Sequence, residues 1–267
     1  MTGSENIITL TTDFGTSDHY VAAMKAVMLN IAPQQRLVDI SHNIPPQDVM
    51  AGAWVLKNSA FLFPPKTVHL VVVDPGVGTE RKPIGLKIKD HYFVGPDNGI
   101  FSLLTSNNSY TATELTNEGF WNPQSQSSTF HGRDIFAPVA AHLSKGISLS
   151  EMGEKIDELV SYRWALPIAD DDGIQGWVLH IDRFGNLITN ISEDMIKDIA
   201  EPNELKIYVG NTILKELNTT FADVEEGEPL AYMGSSGTLE IAINKGNARQ
   251  MLGVKKGASV SAILQKQ

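Results

Sequence analysis

The chain has 267 residues, no cysteine, 42% hydrophobic and 19% charged residues, and a formal net charge of −10. This is the composition of a globular protein with enough chain for one large domain or two modest ones. It excludes disulfides and thiolate chemistry, and an acidic chain without a basic run lacks the electrostatic footprint of a nucleic-acid binder. No apolar run reaches the roughly eighteen residues that a membrane span needs. The start, MTGSENIITLTTDFG, has neither the basic nor the apolar segment of a secretory signal, so the expected setting is the cytoplasm.

The first third alternates strand and helix patterns. Residues 7–12 (IITLTT) are rich in β-branched side chains and read as a strand. Ser17 is placed to cap a helix whose positions Tyr20, Met24, Val27, Met28 and Ile31 share one face, and Pro33 stops it. A second strand is expected at Arg36–Ile40. A helix opening near Pro46 then carries Val49, Ala53, Trp54 and Leu56. A third strand, uniformly apolar, follows at Val68–Val73. The pattern β-α-β-α-β predicts an α/β domain with a mainly parallel sheet, placing Asp13, Asp39 and Asp74 at or near strand carboxyl ends, where such sheets bind ligands.

Further on, residues 83–94 read as a hairpin turning at Lys89–Asp90, followed by GPDNG at 95–99. A helix fits Ile135–Leu143, with Gly146 just past its end. The acidic, aperiodic LPIADDDG at 166–173 reads as a linker. Short β-rich runs follow it at 177–181, 187–191, 205–209, 239–243 and 259–264. The expected organisation is an α/β domain over 1–165, the linker, and a smaller β-rich domain over 174–267.

Four loops have unusual composition for connectors: TTDFG (11–15), DPGVGTER (74–81), FHGRD (130–134) and IDRFGNLITN (181–190). Singly, a Gly beside an Asp is a turn. In DPGVGTER a carboxylate at a strand end is followed by two glycines and an arginine, which fits either a surface ion pair or a ligand loop. His131 in FHGRD suits a helix-capping role or a catalytic one. Asp97 and Asn98 in GPDNG suit a turn as well as a ligand contact. MGSSG (233–237) offers backbone amides to an anionic group. Histidines and carboxylates show no metal spacing, and no nucleotide-binding glycine motif, P-loop or serine-hydrolase elbow is present.

TTDFG, VVVDPGVGTER, GPDNG, FHGRD, IDRFGNLITN and SSGTLEIAIN, in this order over nearly the whole chain, resemble the S-adenosyl-L-methionine hydrolases that release adenosine, relatives of the fluorinating and chlorinating enzymes. The resemblance implies a C-terminal β-barrel-like domain beside the α/β domain. It also implies a homotrimer, with sites between the N-terminal domain of one subunit and the C-terminal domain of its neighbour. By motif, Asp74, Arg81 and His131 would hold the attacking water, and Asp13 the ribose diol. Asp182 and Asn186 would contact the methionine part, with Phe184 packing on the ligand, Ser235 and Ser236 as further contacts, and Trp54 walling the pocket.

The substrate and product implied are S-adenosyl-L-methionine and adenosine, without metal or cofactor. His131 has the reference pKa suited to accepting a proton near neutrality, whereas Asp74 beside Arg81 is the weaker base; the acceptor stays open. The halogenating relatives carry Tyr where Asp74 stands and a halide-binding Ser where Gly132 stands, which speaks against halogenation. A halogenase and a non-catalytic adenosyl-ligand binder are the alternatives.

Overall fold

The computed structural model describes residues 7–162, 166–199 and 204–265. The chain divides into two compact units, Met1–Tyr162 and Arg163–Gln267; the boundary expected at 165 falls outside the described residues.

The first unit runs β1 (Ile7–Thr12), α1 (Tyr20–Ile31), β2 (Arg36–Ser41), α2 (Val49–Ser59), β3 (Val68–Val72), β4 (Pro83–Ile88), β5 (His91–Pro96), α3 (Ser102–Thr105), β6 (Tyr110–Glu114), α4 (Ala137–Ser144) and β7 (Glu154–Ile156). Its sheet has the order β2-β1-β3-β5-β4-β6-β7. The neighbours β2, β1, β3 and β5 pair in parallel, while β5/β4, β4/β6 and β6/β7 are antiparallel. The sheet is therefore mixed, which corrects the mainly parallel expectation. The hairpin at Lys89–Asp90, with Lys89 at φ 53°, reverses the chain without a crossover helix, and β6 and β7 extend from its outer strand.

Period-2 alternation sets the layers of the parallel half. Ile8, Leu10, Val68, Leu70 and Val72 pack with Met24 and Met28 of α1 and with Val139, Ala140 and Leu143 of α4. Gly52 lets α2 approach the opposite face, since a Cβ there would lie 3.2 Å from Val73 Cγ2 and 3.1 Å from Ile100 Cδ1. α1 begins at Tyr20 rather than near Ser17, with His19 at the N-cap and no side-chain cap. The residues before it are held elsewhere: Gly15 N–H donates to the His42 carbonyl at 2.8 Å. Asp48 caps α2, accepting from Ala51 N–H at 2.9 Å. A five-residue π-helical turn, Gly132–Phe136, leads into α4.

The second unit contains β8 (Ile168–Asp170), β9 (Gly173–Ile181), β10 (Leu187–Ser192), α5 (Glu193–Ile199), β11 (Leu205–Val209), β12 (Thr212–Leu214), β13 (Pro229–Met233), β14 (Thr238–Ile243), α6 (Ala248–Met251) and β15 (Ser259–Leu264). The stretch 166–173, read as a linker, thus holds a strand: its acidic run turns back at Asp170–Gly173 to pair β8 with β9. The order is β12-β11-β15-β9-β10-β14-β13, antiparallel at every pairing. Strands β12 and β13 at its two ends touch, so the sheet curls nearly into a barrel. Ile174, Val178, Leu187, Ile207, Leu239, Ile241 and Val260 fill the interior.

Among the described residues no helix is long and apolar enough to cross a membrane.

Candidate active site

Because β1, β2 and β3 are parallel, their carboxyl ends lie on one edge of the sheet, and Asp13 and Asp74 each follow such an end. The Asp74 loop is fixed from behind by Asn98, whose Nδ2 donates to the Val73 carbonyl at 2.8 Å. Gly78 adopts φ +76°, and a Cβ there would lie 2.5 Å from the Ser128 carbonyl. Only glycine therefore lets this loop turn so tightly against residues near His131.

The turn returns Arg81 to Asp74. Arg81 Nε lies 3.0 Å from both carboxylate oxygens and Nη2 2.5 Å from Oδ2. The same Nη2 lies 2.7 Å from His131 Nδ1. Side-chain exposures of 5% for Asp74 and 8% for Arg81 make this a buried pair, unlike the surface ion pair that the composition also allowed. Arg81 Nη1 is buried with no hydrogen-bond partner. Leaving a buried donor unmet costs about 1–3 kcal/mol, so the N–H is suited to a ligand atom.

A guanidinium has donors only. His131 Nδ1 must therefore accept from Arg81, and the neutral ring carries its proton on Nε2. Burial first, then the Arg81 charge, lower the His131 pKa, with Asp74 and Asp134 opposing them. With Nδ1 taken up by Arg81, the neutral ring presents its Nε2–H as a donor. Asp134, 1% exposed, pairs with Arg133 at 2.7 Å and accepts from Ser127 N–H at 2.8 Å, which holds the 125–129 loop. A cavity of about 220 Å³ lined by Trp121, Ser127, Ser128 and His131 opens beside the imidazole.

Asp13 Oδ2 accepts the Gln47 N–H at 2.8 Å, and Gln47 sits at φ 66°. In GPDNG, Asn98 Oδ1 accepts from Ile100 N–H at 3.3 Å within the turn, and Asp97 Oδ1 accepts from Val160 N–H at 3.0 Å, with burial raising the Asp97 pKa. Trp54 is 5% exposed on the buried face of α2, with Lys57 Nζ 5.6 Å from its ring centre.

In the second unit, Asp182 organises the turn between β9 and β10. Its Oδ1 accepts from Phe184 N–H at 2.9 Å and Asn186 N–H at 2.8 Å, and its Oδ2 from Asn186 Nδ2 at 2.9 Å. Phe184 is left 74% exposed on the rim of a cavity of about 720 Å³, lined also by Asp182, Asn186, Tyr232, Ser235 and Glu240. Ser236 faces Glu240 instead, its Oγ 3.3 Å from Oε1.

Two residues were missed by sequence reasoning. Glu240, 8% exposed, accepts from Tyr232 Oη at 2.7 Å, its directly opposed neighbour across β13 and β14. Burial raises the Glu240 pKa, with Tyr232 and Ser236 opposing and Asp182 adding to the rise; burial and Glu240 also push the Tyr232 phenol up. The available signal was a lone carboxylate in the apolar run TLEIAI. Among the described residues no group of three or more His, Asp or Glu is placed to hold a metal ion.

A buried arginine thus bridges a carboxylate and a neutral imidazole, and the two N–H groups of its Nη1 can donate to a ligand oxygen. Residues 8–153 match the description of the SAM hydroxide adenosyltransferase N-terminal domain, and residues 176–261 that of its C-terminal domain. The chain belongs to this family. It is 39% identical over 255 residues to an (R)-S-adenosyl-L-methionine hydrolase of Thermus thermophilus, covering 93% of this chain and 96% of that one. A protein of the same description from Methanocaldococcus jannaschii is 39% identical over 258 residues, covering 93% and 92%. A fluorinase of Nocardia brasiliensis is more distant, at 29% over 291 residues and 97% of both chains. Among solved structures, an uncharacterized conserved protein from Thermotoga maritima superposes with a TM-score of 0.89 at 39% identity, covering 96% of this chain and 99% of that one.

Proposed function

We propose that this chain hydrolyses S-adenosyl-L-methionine to adenosine and L-methionine. The observation that carries the reading is the Asp74–Arg81–His131 set with its spare Arg81 Nη1, in a chain whose hydrolase relatives are 36–39% identical and whose fluorinase relatives are 27–29% identical.

The water oxygen forms a bond to the ribose 5′ carbon as the bond from that carbon to sulfur breaks. The electron pair stays on sulfur, which leaves as the neutral thioether of methionine. Positioning and desolvating the nucleophile is the protein's main task. Arg81 Nη1 and the His131 Nε2–H donate to the entering oxygen. The Asp74 carboxylate, which retains unused lone pairs beyond its Arg81 bonds, takes the water proton. An oxygen with developing negative charge meets a sulfonium, so charge cancels in the transition state, and no metal or cofactor is assigned a role.

Asp13 accepts the ribose diol. The second unit receives the amino-acid end: the Glu240 carboxylate, met by two neutral hydroxyls, takes the α-ammonium, and Phe184 covers the ligand. The chain acts as a homotrimer in which the second unit of a neighbouring copy supplies this half. Incubation with S-adenosyl-L-methionine, with and without chloride or fluoride, tests the reading by chromatography. Adenosine and methionine are expected in equal amounts, independent of halide. A 5′-halogenated nucleoside, or bound but unaltered substrate, would replace the reading with one of its two alternatives.

A further inference from the structure

Residue 42 grips the Asp13 loop at both ends. Thr12 Oγ1 lies 2.8 Å from His42 Nδ1, and Gly15 N–H donates to the His42 carbonyl at 2.8 Å. Thr12 Oγ1 also accepts from Phe14 N–H at 3.3 Å, and its second lone pair or its own proton can meet Nδ1. Nε2 lies 3.0 Å from Asp39 Oδ1, within ion-pair distance though bent from the hydrogen-bond line. Asp39 Oδ2 takes Lys25 Nζ at 2.6 Å. A polar chain thus runs from the end of β1 through His42 and β2 to α1, with Thr12 and His42 buried and Asp39 and Lys25 partly in solvent. Burial pushes the Asp39 carboxyl up, but Lys25 and His42 more than offset it, holding the group ionised.

A threonine–histidine pair in a core needs only mutual satisfaction. This pair does more, because its two ties bracket the residues that present Asp13. The Gln47 N–H fixes the carboxylate from its other side through Oδ2. The loops 12–15 and 42–47 are therefore interlocked at three points, and among the described residues Asp13 Oδ1 accepts no hydrogen bond. We propose that His42 is a positioning residue for substrate recognition: its grip on Thr12 and Gly15 sets the Asp13 carboxylate where it meets the ribose diol. This rests on the reading of Asp13 as the diol acceptor.

Calorimetric titration of adenosine and 2′-deoxyadenosine into the full-length wild type and four variants tests it. The wild type is expected to prefer adenosine about tenfold or more, as one hydrogen bond to a charged group provides, and Asp13→Asn to abolish the preference. His42→Ala loses most of it and raises KM for S-adenosyl-L-methionine with kcat within about threefold. His42→Asn, whose side chain reaches the place of Nδ1, keeps it. Asp39→Asn loses it partly, and this arm reads the chain should His42→Ala not fold. If Asp13→Asn leaves the preference intact, the reading of Asp13 fails. If Asp13→Asn removes it while His42→Ala and Asp39→Asn retain it, the positioning role is overturned. Equal loss in His42→Asn and His42→Ala, with lowered melting temperatures in both, would reduce His42 to packing and also overturn it.

Discussion

Arg81 Nη2 donates to His131 Nδ1 over 2.7 Å while the same guanidinium holds Asp74 through Nε and Nη2. One side chain thereby fixes the position of the carboxylate, the tautomer of the imidazole and the direction of its own spare Nη1 donors. A consequence for pH follows. Burial and the Arg81 charge hold His131 below the usual histidine value of about 6.5. Protonation would place a second cation beside Arg81 and remove the acceptor, so kcat/KM stays level through about pH 6.5 and falls only below it. The stability gained from neutral His131 has the same sign: it is complete above about pH 6.5 and lost as pH falls through the lowered folded-state value. A profile that bends at the ordinary histidine value would contradict the assignment.

Arg81→Lys keeps the charge but loses the planar fork that reaches both partners. Turnover should fall about a hundredfold or more, on the scale of losing one preorganised donor. The His131 pKa should stay below its ordinary value, because burial and the positive charge both remain, which NMR titration of the ring would read.

Asp74→Ala, which removes the proton acceptor, and His131→Ala, which removes a preorganised donor, should each lower kcat at least about a hundredfold, with adenosine affinity within about twofold of wild type. Asp74→Ala also leaves Arg81 buried without its counterion, and the loss of one buried partner costs about 3–5 kcal/mol. A lowered melting temperature in that variant but not in His131→Ala is the expected pattern. Full activity in both would sink the triad.

In the second unit Asp182 and Glu240 separate by their partners. Asp182→Ala removes three hydrogen bonds that form a turn, and should destabilise that unit by about 2–4 kcal/mol. Glu240→Gln keeps shape and hydroxyl partners but loses the charge. Affinity for L-methionine should fall about tenfold, the value of a hydrogen bond to a charged group, with adenosine affinity and melting temperature unchanged. Unaltered methionine binding in Glu240→Gln would remove that carboxylate from the account.

Gly78→Ala meets both a positive φ and the Ser128 carbonyl. A cost of about 1–3 kcal/mol and a lower kcat are expected, whereas Gly146→Ala, also at positive φ but with nothing within 4 Å, should leave kcat at the wild-type value.

The sequence carried the parallel half of the first unit because strongly periodic strands and helices alternate there, and the site loops because Gly, Asp and Arg cluster at strand ends. It did not carry the antiparallel half, since β6 and β7 are short half-polar runs whose pairing depends on the hairpin beside them. β8 was hidden in an acidic stretch that resembles a linker, and its pairing is made by backbone groups that composition does not report. The triad residues were legible, but their protonation was not: only the 2.7 Å contact to a group without acceptors decides the His131 tautomer. Glu240 was passed over because its partner Tyr232 is a cross-strand neighbour, visible only once β13 and β14 are in register.

The central claim is attack of water on the 5′ carbon, and the position of an oxygen label tests it most directly. S-adenosyl-L-methionine is turned over in water enriched in oxygen-18, and both product halves are weighed by mass spectrometry. One labelled oxygen on adenosine, with unlabelled methionine, is the predicted result. Methylthioadenosine with a labelled homoserine fragment, or unlabelled adenosine, would place the attack elsewhere and contradict the account.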